Sequence, residues 1–197
     1  MKSSTQTFFI IPGFKQKPSN ESFDWLVSYL HKKRIKVVRV PIGWRHRVMS
    51  DYIEDFKMCY QKNKSTINYV LGFSYGAVIA FSSANDLLPD KIFLCSLSPD
   101  FKEDIFSMKA WIKKFVGTRR LADARSHSGK MIAQKLKVPS IIFYGEQEGR
   151  QYPQLKIRCE ETARLAKNSH IIRVPRAPHK IDHPEYIKAL QDQLALL

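Results

Sequence analysis

The 197-residue chain is poor in cysteine, glycine and acid, and each shortage closes off a class of protein. Three cysteines, Cys59, Cys95 and Cys159, are too few and too scattered for a disulfide framework or a four-thiolate zinc site. Cys95 lies inside an apolar run, where a thiol serves as a small core residue. The eight glycines never gather into a linker, repeat or low-complexity block, so nothing divides the chain. The N-terminal segment carries one lysine and only four consecutive apolar residues, Phe8 to Ile11, which falls short of a secretory segment or membrane span. A reduced, cytoplasmic setting is the expectation that follows. The shortage of acid is the largest departure: 18 Asp and Glu face 33 Lys and Arg, leaving a net charge of +15.

The rest of the composition is globular. Apolar residues make up 44% and charged residues 26%, enough to build a core, and the length suits a single domain over residues 1–197. Short apolar runs rich in β-branched residues recur at 7–12, 36–42, 66–73, 91–97, 139–144 and 170–174. Residues 22–33, 51–61, 75–85, 155–167 and 184–196 read as helices, with Phe23, Leu26, Val27 and Leu30 sharing one face of the first. Continuous apolar strands alternating with helices predict an α/β fold. The expected form is a three-layer sandwich whose mostly parallel six-stranded sheet is covered by helices on both faces. The longest departure is 101–137, read as a basic insertion or long crossover over the carboxyl edge of the sheet. It contains a helical pattern over 105–116 and is a candidate lid.

The sharpest local signal is Gly72-Phe73-Ser74-Tyr75-Gly76, which ends an apolar strand and opens an apolar helix. A serine at such a junction is forced into a strained backbone, with its hydroxyl projecting above the sheet edge. The flanking glycines are required because the turn brings strand and helix close together. A tight βα turn with a capping serine is the plainer reading of the same residues.

A serine hydroxyl is a weak nucleophile and works through a base, which an acid orients. His179 follows the strand predicted at 170–174 and is the candidate base. His183 is its nearest competitor, but Asp182-His183-Pro184 looks like the start of the last helix with Asp182 as its cap. The remaining histidines fall on predicted surfaces or strand starts. Glu148 follows the strand at 139–144 and is the preferred acid, because a loop leaving that strand must turn back toward His179. Glu146 and Asp100 remain alternatives, the latter because an acid can also be supplied from the strand at 91–97. Backbone N–H groups of Tyr75 and Phe14 are the expected donors to an oxyanion, with Gly13 allowing close approach and the two aromatic side chains lining the adjoining pocket.

On these residues the sequence resembles the α/β-hydrolase superfamily, in particular its small, compact serine hydrolases, over essentially the whole chain. The resemblance implies Ser74 as nucleophile, Glu148 in the position usually held by Asp, His179 as base, oxyanion donors at Phe14 and Tyr75, and no metal or organic cofactor. The usual histidine-glycine before the oxyanion loop is Pro12-Gly13 here. The resemblance does not fix the substrate; the expected one is a small-molecule ester, and short acyl chains suit so small a protein. Amidase, peptidase or acyltransferase chemistry uses the same triad, and a basic binding protein without turnover is the remaining alternative.

The charge is unevenly spread. Residues 101–137 hold ten Lys or Arg against three acids, nearly half of the whole excess. A solvated helix back is the plain account. An acidic substrate or an anionic membrane surface is the sharper one. No spaced aromatic–basic platform or nucleic-acid module accompanies the charge, which argues against nucleic acid. Oligomeric state is not legible.

Overall fold

The computed structural model describes residues 5–197; residues 1–4, part of the N-terminal segment read above, lie outside the described residues. Six strands form one sheet in the order β2-β1-β3-β4-β5-β6, every neighbouring pair parallel. They are β1 (Gln6–Ile11), β2 (Lys36–Arg39), β3 (Ile67–Phe73), β4 (Lys91–Cys95), β5 (Ser140–Gly145) and β6 (Ser169–Val174). The expected strand at 36–42 ends at Arg39, short of Pro41, which has no N–H to give a ladder.

Alternation along the strands explains their unbroken apolar sequence. Phe8 and Ile10 face one core with Leu71, Phe93 and Phe143, covered by α1 (Asp24–Lys32) and α9 (Pro184–Leu194). Phe9 and Ile11 face the other with Val70, Leu94 and Ile142, covered by α2 (Met49–Asn63), α3 (Tyr75–Leu87) and α8 (Pro153–Leu165). With both faces covered, each buried Phe or Ile contributes roughly 1.5–3 kcal/mol over its exposed state. The strand order reverses between β1 and β3. The loops leaving their carboxyl ends therefore diverge and open a crevice, the usual ligand position of an open α/β sheet.

Residues 101–137 join β4 to β5 and carry α4 (Ala110–Val116), α5 (Thr118–Ala124) and α6 (Gly129–Lys135). The helix expected over 105–116 is shorter than its pattern. Turns occupy 102–107 and α4 begins only at Ala110. Two contacts account for the difference. Asp104 is drawn inward to Arg158 of α8, and Ile105 is buried beside it, so the chain is committed to the core before a helical turn can start. The pattern's other apolar members are not all inside: Phe115 is 70% exposed, and Trp111 at the pattern's boundary (67%) and Phe106 outside it (94%) are exposed as well. The last helix starts at Pro184 as read, but the N-cap position is held by His183, and Asp182 is exposed and does not cap it. Among the described residues no helix is long and apolar enough to cross a membrane.

Two anchors hold the insertion. Arg158, only 2% exposed, donates from Nη2 to Asp104 Oδ1 (2.6 Å) and from Nε to Oδ2 (3.1 Å), a two-point pairing. At the other end Asp123 of α5 accepts from the backbone N–H (3.1 Å) and hydroxyl (2.6 Å) of Ser50, and so satisfies the first turn of α2 from another element. His127 Nε2 lies 3.0 Å from the same hydroxyl.

Removing one partner of the buried pair leaves an uncompensated charge, so Arg158→Met should cost about 3–5 kcal/mol in urea denaturation. Adding Asp104→Asn to that variant should restore part of the loss. Burial lowers the His127 imidazole below its ordinary 6.5, outweighing the opposing pull of Asp123. A group depressed in the folded state contributes stability that is present above its unfolded pKa and lost as the pH falls through the folded one. The denaturation midpoint should therefore drop as the pH falls below 6.5, and more steeply in the wild type than in His127→Gln.

Candidate active site

Ser74 joins β3 to α3 with φ 55° and ψ −120°, a left-handed conformation that an L-residue holds only when its surroundings enforce it. The surroundings are visible in the flanking glycines. A Cβ on Gly72 would lie 2.2 Å from the carbonyl oxygen of Gly76, and one on Gly76 would lie 2.2 Å from that of Ile11. Strand, turn and helix are in backbone contact here, and so is the loop after β1. The Ser74 N–H donates to the Cys95 carbonyl of β4 (2.8 Å), which fixes the turn from the other side.

The loop after β6 brings His179 over this turn. Its Nε2 is 3.2 Å from Ser74 Oγ, and its Nδ1 meets Glu148 Oε1. The imidazole lies against Phe73, with ring centroids 4.8 Å apart, and edge-on to Tyr152 at 6.2 Å. Glu148 is in the first turn of α7 (Glu146–Gln151) and has no exposed surface. Its Oε2 accepts from the N–H of Gly145 (2.8 Å) and the hydroxyl of Ser96 (3.0 Å). The Ser96 hydroxyl is also 3.0 Å from that of Tyr186 in α9. Gly145 allows the loops carrying Glu148 and His179 to touch: a Cβ there would lie 2.2 Å from the Ala177 carbonyl, which itself accepts from the N–H groups of Gln147 and Glu148.

The other acids lie elsewhere. Glu146 pairs with Arg173 and Arg150 on the surface and accepts from the N–H of Arg176. Its hydrogen bond to Arg173 holds the carboxyl below the usual range. Asp100 makes no hydrogen bond to His179; burial, with repulsion from Asp104, raises its pKa to about 7. His183 hydrogen-bonds to neither Ser74 nor Glu148 and holds the N-cap position of α9 without a side-chain capping bond. The geometry therefore brings Ser74, His179 and Glu148 together and leaves Glu146 and Asp100 apart.

The N–H groups of Phe14 and Tyr75 donate to no protein acceptor among the described residues. The loop bearing Phe14 runs beside the turn: a Cβ on Gly13 would be 3.5 Å from that of Ser74. The rings of Phe14 and Tyr75 are 5.6 Å apart, and Trp44 lies 5.5 Å from the first and 6.1 Å from the second. Burial pushes the Tyr75 phenol well up, so it stays neutral.

Three residues were not singled out from sequence. Ser98 Oγ is 3.3 Å from Ser74 Oγ, while Ser96 and Tyr186 surround the buried carboxylate. The pattern Cys-Ser-Leu-Ser at the end of β4 was available as a signal, since residues at the carboxyl end of a central strand reach the crevice.

No protein-family profile and no curated protein matches the chain at the level of sequence. Comparison of structures is decisive about architecture: the chain has the α/β-hydrolase fold. Est1E from Butyrivibrio proteoclasticus superposes with a TM-score of 0.76 at 15% identity, covering 98% of this chain and 89% of that one. Alpha/beta hydrolase domain-containing protein 10 from mouse gives 0.77 at 11% identity, covering 99% and 90%. An esterase from Exiguobacterium antarcticum gives 0.74 at 14% identity, covering 98% and 92%.

A buried carboxylate oxygen that loses a donor is left with its desolvation cost, so Ser96→Ala should destabilise the fold by about 1–3 kcal/mol. The same carboxylate faces His179 Nδ1 and favours the tautomer with its proton there. That proton should appear as a far-downfield resonance in proton NMR and vanish in Glu148→Ala.

Proposed function

We propose that the protein is a serine hydrolase that cleaves carboxylic esters through an acyl-enzyme. One observation carries the reading: the continuous contact from Ser74 Oγ through the His179 ring to a fully buried Glu148. In this reading His179 Nε2 takes the Ser74 proton as Oγ attacks the ester carbonyl. Glu148 fixes the tautomer that keeps Nε2 free to accept and compensates the charge of the imidazolium. The tetrahedral oxyanion is received by the unpartnered N–H groups of Tyr75 and Phe14. His179 returns the proton to the departing alcohol, and then activates a water that attacks the acyl-serine and regenerates Oγ. The sequence of steps calls on no metal or organic cofactor.

The esterases among the structural neighbours support ester rather than amide chemistry as the first assay. Ser74→Ala should lower kcat for a short-chain 4-nitrophenyl ester by about 10³-fold or more, with the fold retained by circular dichroism. A fluorophosphonate probe should label the wild type at Ser74 and leave the variant unlabelled. An unlabelled wild type with intact fold, or an unchanged esterase rate in the variant, sinks the proposal. Turnover of anilides at rates matching esters would reassign the reaction to amides.

A further inference from the structure

Part of the chain's excess charge collects beside the aromatic cluster that adjoins Ser74. An open cleft of about 850 Å³ lies between the loop after β1, the loop after β2 and the junction of α4 with α5. Lys15, Arg45, His46, Arg119 and Arg120 contribute to its lining, and no Asp or Glu does. Arg47, also in the wall, is neutralised by Asp51 and Asp55. The other lysine and arginines form no ion pair among the described residues.

These cations are held in place by neutral groups. Arg120 donates from Nε to the Arg47 carbonyl (3.2 Å) and from Nη2 to the Trp44 carbonyl (3.5 Å). Arg119 donates to the His46 carbonyl (3.3 Å). Both guanidinium groups are thus oriented while keeping their charge and their remaining N–H donors. The Arg120 guanidinium lies 5.1 Å from the Phe14 ring, and Lys15 Nζ lies 5.3 Å from the same ring. Lys15 and His46 both hold positive φ, 61° and 55°, so each of the two loops is fixed in an unfavourable conformation beside the cleft. Phe14 also belongs to the aromatic trio next to Ser74. Trp44 lines the cleft and Phe14 lies against two of its cations, and with Tyr75 they form a wall of rings that leads from the cleft to the residue next to Ser74.

We propose that the cleft is an anion subsite, and that the esters this protein takes carry a second group that is a carboxylate or a phosphate. The inference rests on Ser74 acting as the nucleophile. An oriented guanidinium recognises either anion through two parallel N–H bonds, and the ring wall receives a planar or apolar spacer between the charge and the scissile bond. A bilayer is met by cations that project from a convex face. These line a concavity, and Arg119 and Arg120 are tied back to the backbone, which favours a small ligand.

The test compares matched esters. On the alcohol side, 4-acetoxybenzoate and 4-acetoxyphenyl phosphate are set against neutral methyl 4-acetoxybenzoate. On the acyl side, mono-4-nitrophenyl succinate is set against 4-nitrophenyl butyrate. In at least one series the anionic ester should have a kcat/KM about tenfold above its neutral partner at low ionic strength, a ratio that shrinks with added salt. The carboxylate and phosphate arms show which anion is preferred. In Arg119→Gln/Arg120→Gln, and separately in the exposed Lys15→Gln, the ratio should fall toward one. Equal rates in both series, or a preference that survives in both variants with their fold intact, overturn the subsite. Calorimetry with Ser74→Ala protein separates this outcome from failure of the nucleophile. Binding of an anionic ester that weakens in the arginine variant supports the subsite even if Ser74 proves inert. Sedimentation with phosphatidylserine vesicles and no preference among soluble esters would assign the charge to a membrane surface and overturn it.

Discussion

Glu148 has no exposed surface, and a carboxylate so placed is tolerated only when donors surround it. Gly145 supplies a backbone N–H, Ser96 a hydroxyl and His179 a ring nitrogen. These three come from the ends of β5 and β4 and the loop after β6, so one charge ties together the carboxyl edges of three neighbouring strands. Ser96 itself sits at positive φ, and its hydroxyl contacts Tyr186 in a helix on the far side of the sheet. The orientation of the imidazole over Ser74 is therefore a property of the whole right-hand half of the sheet. It is not a matter of two side chains meeting by chance in a crevice.

The strands were legible because both faces of a parallel sheet are buried, and this turns each into an unbroken apolar run. Ser74 was legible because its glycines must be where they are. The acid was legible only as a preference for Glu148 over Glu146 and Asp100, since Glu148 and Glu146 occupy the same helical turn and differ only in the face they present. One faces inward to a ring of donors and the other outward to Arg173 and Arg150. Periodicity misread 105–116 for a comparable reason. The apolar positions there satisfied a helix, but the tertiary pairing of Asp104 with Arg158 captured the chain first. Ser96 and Ser98 escaped notice because a serine one or three residues beyond a strand has no distinctive neighbours in sequence. Its partners lie 24 and 52 residues away along the chain.

The +15 charge has a physical location that composition alone does not reveal. Insertion and core are joined through one buried ion pair, Asp104 with Arg158, and through the hydrogen bonds of Ser50 to Asp123 and His127. The cations left over face outward or into the cleft beside Phe14, where backbone carbonyls orient them without cancelling them. Neutral anchoring of a cation preserves its field for something else, which is why the cleft stands out against a surface that is basic in general.

The glycine contacts at the carboxyl edge also divide the chain by how freely it can change. At Gly72, Gly76 and Gly145 an added methyl group would strike a backbone carbonyl at 2.2 Å, a clash no side-chain rotation relieves. Gly117, between α4 and α5, is different: nothing lies within 4 Å of the space a Cβ would fill, and only its φ of 85° restricts substitution. The machinery around Ser74 is therefore closed to gradual alteration, whereas the segment that forms the cleft's outer wall is open to it. New substrate preference in this architecture would be reached by remodelling that wall, in small steps that leave the chemistry unaltered.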